Sequence, residues 1–468
     1  MPDILPLMLK LESVLPTTTC RQLARIVVAM LVMPGRVTQL GIARWADKGA
    51  SHRTVHRFFH SDIDWLQVKW LFFMLFLYVA SDTYLLVGDE TVLKKAGKQT
   101  FGLDRFFSSM ADKVVPGVAF FAFALVSTQK RQAYTLCAEQ VVRSEEEKEA
   151  AKQRKQARRS KPKLKRPRGR PKGSKNKNKE AVLLSPELVR ILAWAQKVLA
   201  LLRQKMAVRY FVLDGHFGNH PSYQMVRQLK LHLISKLRQD AALYLLPTPQ
   251  QKLEHPHLKY GAKVNYEALP AECLVSSEDT DGYRTQIYQM ACRHKDFADV
   301  LNVVIIVKVD LATLRQGHVV LFSSEEELDA LTLIDYYSLR FQIEFEFREA
   351  KQHWGLADFM GVKERSVHNA VGLSFFVGNL SGYLLERFRE RVPHAGVIDL
   401  KSYYRGRRYV SETLKYLPEL ADGIVCERVM EAVCRLGFIH EPSESVAEAG
   451  LRRKRGVSAG NCALDVAA

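Results

Sequence analysis

Hydrophobic and polar positions change period several times along the chain. Up to about residue 80 the spacing is helical. In RVTQLGIARWADKGASHRTVHRFF, Leu40 and Ala43 mark one helix and Lys48-Gly49-Ala50 a break. Ser51 then serves as N-cap of a second helix that turns Val55, Phe58 and Phe59 inward and Arg53, His56 and Arg57 outward. The period next shortens: YLLVGDE, VVPGVAFFAFALVS and AYTLCAEQVV read as three successive strands opening an antiparallel sheet. A polar stretch from Arg143 to Glu180 follows, with no apolar periodicity and nothing to bury, and it reads as a disordered excursion. Ser185-Pro186-Glu187 supplies an N-cap, a first-turn proline and a first-turn acid for a helix carried on by Leu188, Leu192, Leu199 and Leu202. RYFVLDG is another strand, Asn219-His220-Pro221 starts another helix, and LHLISK is a strand again. From about 240 to 330 the text is strand-like and polar. The helical period returns from Leu331 through Trp354 and from Ser366 to Arg391, and LRRKRGVSAGNCALDVAA is a loose basic tail.

This order predicts an α/β fold behind a helical region. The division it suggests is a helix-turn-helix-like domain at 1–80 and a first part of an α/β core at 81–142. A basic insert at 143–180 precedes a second part of the core at 181–240. A β-rich insertion at 241–330, the last part of the core at 331–400 and a C-terminal helical region and tail at 401–468 complete it.

Charge changes the picture more than composition does. Apolar content of 47% and charged content of 25% are ordinary for a globular chain. The net charge of +19 is not, and it points to a polyanionic partner, nucleic acid first. Residues 143–180 alone hold 17 Lys and Arg against 5 acidic residues, so the excess is a local binding element rather than a uniform coat. The 7 cysteines are scattered and form no CxxC pair, which signals neither a disulfide framework nor a zinc site and suits a reducing, cytoplasmic setting. The apolar runs Trp70–Ala80 and Val114–Val126 fall short of the ~20 residues a membrane helix needs, and no membrane partner is expected. MPDILPLMLKLE has no basic region leading an apolar one, so it does not read as a secretory signal.

Two apolar strands end alike, YLLVGD in Asp89 and YFVLDG in Asp214. A strand-end aspartate beside a glycine stands at a sheet rim where it can hold a metal ion, although such residues often only cap turns. The segment DYYSLRFQIEFEFREAKQHWGL adds a third carboxylate. At about 100° per residue Tyr337, Arg340, Glu344 and Lys351 share one stripe roughly 60° wide, flanked by Phe341 and Phe347, while Glu346 and Glu349 point away. One reading is a lattice of exposed salt bridges. The sharper one is a carboxylate in a cleft with a tyrosine, an arginine and a lysine beside it to grip phosphates. Three carboxylates without Cys or His form a hard oxygen site that suits Mg²⁺, with Mn²⁺ as a substitute.

Tyr337, Arg340, Glu344 and Lys351 spell Y-(2)-R-(3)-E-(6)-K. That spacing resembles the signature of bacterial insertion-sequence transposases of the insertion-sequence-four type, in the DDE class. The resemblance spans roughly residues 30 to 390. It implies an RNase H-like catalytic core with a mixed five-stranded sheet and a β-rich insertion, and it assigns Asp89, Asp214 and Glu344 as the metal-holding catalytic triad. It further implies two ions per site, contacts from Tyr337, Arg340 and Lys351 to DNA phosphates near the cut, and double-stranded DNA as partner, both element terminal repeats and target. Cleavage by water would release a 3′-hydroxyl, which then attacks the target strand. A homodimer in the DNA complex is expected, in a bacterial cytoplasm and on the nucleoid when DNA-bound. The insertion has no tryptophan on which to stack a flipped base, a departure from some relatives.

Pro167-Arg168-Gly169-Arg170-Pro171 resembles an AT-hook. Gly169 lets the backbone sit low in a narrow minor groove, with Arg168 and Arg170 along its floor. The plainer alternative is a basic linker without sequence preference. Arg53 and Arg57 fit a recognition helix in the major groove, or else a solvated basic face. A transposase is the leading reading. The alternatives are a catalytically silent DNA-binding protein derived from one and a stand-alone nuclease.

Overall fold

The computed structural model describes residues 3–46, 49–108, 111–160, 182–415 and 423–440. Five helices come first: α1 (Ile4–Leu9), α2 (Thr17–Val32), α3 (Gln39–Trp45), α4 (His52–Phe59) and α5 (Trp65–Phe76). Strands β1 (Tyr84–Lys94), β2 (Asp104–Ser108), β3 (Lys113–Ser127) and β4 (Gln132–Gln140) follow, then α6 (Glu145–Ser160), α7 (Pro186–Leu202), β5 (Tyr210–Val212), α8 (His220–Gln228), β6 (His232–Leu237) and β7 (Leu243–Leu245). The chain continues through α9 (Pro249–Glu254), β8 (Leu274–Thr280), β9 (Tyr283–His294), β10 (Val300–Asp310) and β11 (Gln316–Ser323). It ends in α10 (Ala330–Leu339), α11 (Phe341–His353), α12 (Glu364–Phe388), α13 (Val397–Leu414) and α14 (Gly423–Arg435). Among the described residues no helix is long and apolar enough to cross a membrane.

These elements form two units, one of residues up to Phe58 together with those from Asn379 onward, the other Phe59–Gly378. In the first, α13 is fastened to the end of α2 by two cations on carbonyls that α2 leaves unpaired. Lys401 Nζ donates to the Met30 carbonyl at 2.6 Å and Arg405 Nε to that of Val32 at 3.0 Å. α3 does not bury Leu40, which is 48% exposed; it buries Ile42. Gly41 beside it allows the approach, since a Cβ there would come within 2.7 Å of the Met33 side chain. α4 buries Val55 and Phe58 and leaves Arg53 and Arg57 exposed.

In the second unit all strands join one sheet, ordered β2-β3-β1-β5-β6-β11-β10-β9-β7, with β4 on β3 and β8 on β9. β3 is buried without interruption from Gly117 to Ser127, as a strand covered on both faces must be. β1 runs antiparallel to β3 and parallel to β5, and β5 runs parallel to β6. The antiparallel β6–β11 pairing then carries the polar strands of 241–330 onto the same sheet.

The tract from Arg143 is not wholly without structure: its first part is α6. The correction has a local cause. Ser144 and Glu147 form reciprocal capping bonds, Glu147 N to Ser144 Oγ at 3.2 Å and Ser144 N to Glu147 Oε2 at 3.0 Å. Three glutamates then occupy the first turn, where the helix dipole favours them. Glu147 also accepts from Arg190 of α7 at 2.7 and 2.9 Å, tying the flanks of the tract together. Arg168, Gly169 and Arg170 lie outside the described residues.

Candidate active site

The sheet register brings the two aspartates together. Val87 of β1 faces Val212 of β5 in a parallel pair, and Asp89 and Asp214 each follow two residues later. Asp214 thus lies just beyond the carboxyl end of β5, and Asp89 sits beside it within β1. That strand does not end at the aspartate but runs on to Lys94 because its pairing with β3 continues, so the two carboxylates meet where the parallel β1–β5 pairing stops. Along β1 burial is complete through Gly88 and relaxes at Asp89. Gly88 is needed for that close packing: a Cβ there would meet the Phe121 ring at 2.8 Å and the Phe211 ring at 3.0 Å. Asp214 caps the short turn Gly215–Phe217 by accepting from His216 N at 3.2 Å, and its own carbonyl accepts from the buried Ser235 hydroxyl at 2.7 Å. Gly218 closes the turn where a Cβ would collide with the Lys236 carbonyl.

Glu344 arrives from α11. Ile343, Phe347 and Ala350 bury one face of that helix in the core. The single helix expected from Leu331 to Trp354 is interrupted at Arg340, where bonds of i→i+3 type replace the α pattern: Arg340 N to the Tyr337 carbonyl and Ile343 N to the Arg340 carbonyl, both at 3.2 Å. Glu346, which points off the stripe, points inward and is buried. Burial, with a smaller contribution from Glu349, pushes its carboxyl well above the usual range.

Arg340 joins the carboxylates. Its Nη1 lies 3.3 Å from Asp89 Oδ2 and its Nη2 2.8 Å from Glu344 Oε1. The Arg340 side chain is 7% exposed, that of Asp89 20% and that of Glu344 45%. Burial raises the Asp89 carboxyl to about 6; Arg340 and the Glu90 N–H oppose the rise, and the charges of Asp214 and Glu344 add to it. Burial opposes the charge on Arg340, but Asp89 and Glu344 outweigh it and hold its pKa up. Burial lowers the Lys351 ammonium against the pull of Asp89. Burial likewise raises the half-buried Tyr337, with Arg340 opposing and Asp214 contributing. Tyr337, Arg340, Glu344, Lys351 and the two aspartates thus lie within one electrostatic neighbourhood.

Among the described residues no three Asp, Glu, His or Cys side chains converge into a ready-made ion cage. The donor chemistry nevertheless fits a hard divalent cation, because every candidate atom is a carboxylate oxygen and a positive group already bridges two of the three.

Residues 10–295 match the family model described as DDE superfamily endonuclease. The chain belongs to that family. No curated protein sequence matches it. The match includes Asp89 and Asp214; Glu344 lies beyond it. Family membership makes this a nuclease-type enzyme, of a kind that generally uses divalent metal ions.

Beside the aspartates of this DDE superfamily chain opens a cleft of about 470 Å³, lined by Asp89, Asp214, Glu90, Glu187, His216 and Trp194 among others. His216 Nε2 lies 3.7 Å from Glu187 Oε1, and that carboxylate is the main reason its imidazole holds a proton more tightly than usual. In the sequence Glu187 stands as a first-turn acid, and His216, two residues after Asp214, carries no sign of its partner. The Asp214-Gly215-His216 run was the available signal, but the α7 partner that completes the pair is not adjacent in sequence.

Proposed function

We propose that the protein is a DNA transposase that cleaves the ends of a mobile element and joins the released 3′-hydroxyl to target DNA. The observation that carries this reading is the meeting of Asp89, Glu344 and Arg340 beside Asp214, with the Y-R-E-K spacing on the helix that supplies Glu344. The strand order β4-β3-β1-β5-β6, antiparallel for the first two pairs and parallel for the last two, supports an RNase H-like core.

Asp89, Asp214 and Glu344 would hold two Mg²⁺ ions, which when bound activate the attacking oxygen and stabilise the leaving one in an in-line displacement. The residues around them do the rest. Arg340 and Lys351 supply positive charge for the phosphates flanking the cut, and Tyr337 offers a hydroxyl at the same rim. The buried floor of Phe121 and Phe217 under the cleft keeps water from the sheet side of the carboxylates. In this reading Arg53 and Arg57 serve recognition of element ends. Arg168, Gly169 and Arg170 serve A·T-rich minor grooves, a role that rests on the sequence alone. A homodimer on DNA would bring two ends together.

The test is cleavage of a plasmid carrying the DNA that flanks the gene. With Mg²⁺ the protein should produce 3′-hydroxyl ends at fixed positions bracketing the coding sequence. Scattered nicks would favour a stand-alone nuclease. Specific binding without cleavage would favour a silent DNA-binding derivative.

A further inference from the structure

Arg340 is poorly accounted for by a phosphate-gripping role alone. A residue waiting for a phosphate is ordinarily exposed, yet this side chain is 7% exposed and is already engaged with two acids. Its engagement is incomplete: Nε is buried with no hydrogen-bond partner among the described residues. A buried guanidinium with an orphaned N–H is held at a desolvation cost that an additional acceptor would relieve. With Asp89 Oδ2 and Glu344 Oε1 on Arg340 and Asp89 Oδ1 accepting from Glu90 N at 2.8 Å, the guanidinium competes for lone pairs at these carboxylates and its charge repels a divalent cation there. Arg340 stands at the interruption between α10 and α11, where the helical bonding is already irregular and a side chain is most easily re-aimed. An outward track exists, since its guanidinium lies 4.5 Å from the Phe341 ring and Phe341 is 48% exposed.

We propose that Arg340 is an internal counter-ion that makes divalent-ion binding depend on DNA. In the free protein the guanidinium occupies Asp89 and Glu344. When a DNA phosphate arrives at the rim, Arg340 transfers to it, and the two carboxylates are released to a divalent cation together with Asp214. This rests on the reading of Asp89, Asp214 and Glu344 as ion ligands and adds the order of events: DNA first, ion second. The free protein then holds no cutting-competent ion. By linkage, DNA raises ion affinity by the same factor by which the ion raises DNA affinity.

The experiment is a Mn²⁺ titration of the full-length protein followed by electron paramagnetic resonance, with and without a short duplex. The Asp89→Asn protein, alone and with duplex, gives the background. Wild type should bind the Asp89-dependent Mn²⁺ weakly alone and about tenfold or more tightly with duplex. Arg340→Gln should bind Mn²⁺ without DNA about as tightly as the wild-type complex does, and duplex should add little. Arg340→Lys, which keeps the charge without the two-pronged reach, should retain part of the coupling and guards against a glutamine variant that does not fold. In wild type, duplex affinity should rise with Mn²⁺ by the matching factor. Free Arg340→Gln with unchanged or weaker Mn²⁺ affinity would overturn the counter-ion role and leave the ligand assignment standing. Absence of any Mn²⁺ binding that Asp89→Asn removes would overturn the assignment and this inference with it.

Discussion

Asp89 and Arg340 are 251 residues apart in sequence and 3.3 Å apart in the folded chain. The contact opposes the effect of burial on Asp89 without overcoming it. Burial holds the Asp89 carboxyl at about 6 although Arg340 pulls it down. A carboxyl whose folded pKa lies above its ordinary 3.8 contributes stability below that value and loses it as pH rises through about 6. Ionised Asp89 therefore weakens the fold at neutral pH. Asp89→Asn should stabilise the protein by about 1–3 kcal/mol at pH 7.5, with the gain vanishing near pH 4. Thermal or denaturant unfolding across that range checks it; equal effects at both pH values would contradict it.

The same pKa bears on ion binding. Protons and divalent cations compete for Asp89, so the Asp89-dependent Mn²⁺ affinity of the free protein should fall toward tenfold per unit below about pH 6. The fall should begin at higher pH in the DNA complex, where Arg340 no longer pulls the carboxyl down. A Mn²⁺ titration at several pH values measures the limb. Affinity that is level down to pH 5 would remove Asp89 from the ligand set.

Packing gives a prediction independent of charge. Gly88 lets Phe121 and Phe211 close over the strand just before Asp89. Gly88→Ala should cost about 1–3 kcal/mol through overpacking and shift Asp89 enough to lower cleavage. Chemical denaturation with a parallel cleavage assay checks both halves. A variant as stable and active as wild type would show that β1 tolerates displacement beside Asp89.

Much of this site was legible in the sequence because its signals are local. Asp89 and Asp214 end apolar runs, and the stripe from Tyr337 to Lys351 is a helical period. What was not legible depends on distance or on competition between local signals. The β6–β11 pairing that joins 241–330 to the rest of the sheet joins segments far apart in sequence, and nothing in either strand names the other. Charge density in the tract after Arg143 outweighs the capping signal of Ser144 and Glu147, so the sequence pattern predicts disorder where α6 forms. The period placed Glu346 off the stripe but gave no sign that this side faces the interior. Nor does a smooth helical period reveal the interruption at Arg340, which follows from how α10 and α11 each settle on the sheet.

The basic tract should be separable from the chemistry. Glu147 and Arg190 tie its flanks together, so a neutral Gly/Ser linker in place of 161–181 should leave the melting transition unchanged. General DNA affinity should fall and become less salt-dependent. Arg168→Ala with Arg170→Ala should remove mainly the preference for A·T-rich over G·C-rich duplex in a competition assay at fixed salt. An unchanged ratio in the double variant would reduce the tract to a charged tether.

The central claim is that Asp89, Asp214 and Glu344 form one ion-dependent cutting site. The most direct measurement is strand cleavage in Mg²⁺ on the gene's flanking DNA, with binding measured in parallel, for Asp89→Asn, Asp214→Asn, Glu344→Gln and Glu346→Gln. The first three should each lose cleavage by at least about 100-fold while keeping DNA binding. Glu346→Gln should cut, because its amide keeps the shape of a carboxyl that points away from the site and whose charge burial disfavours. Cleavage that survives in Glu344→Gln and disappears in Glu346→Gln would contradict the account.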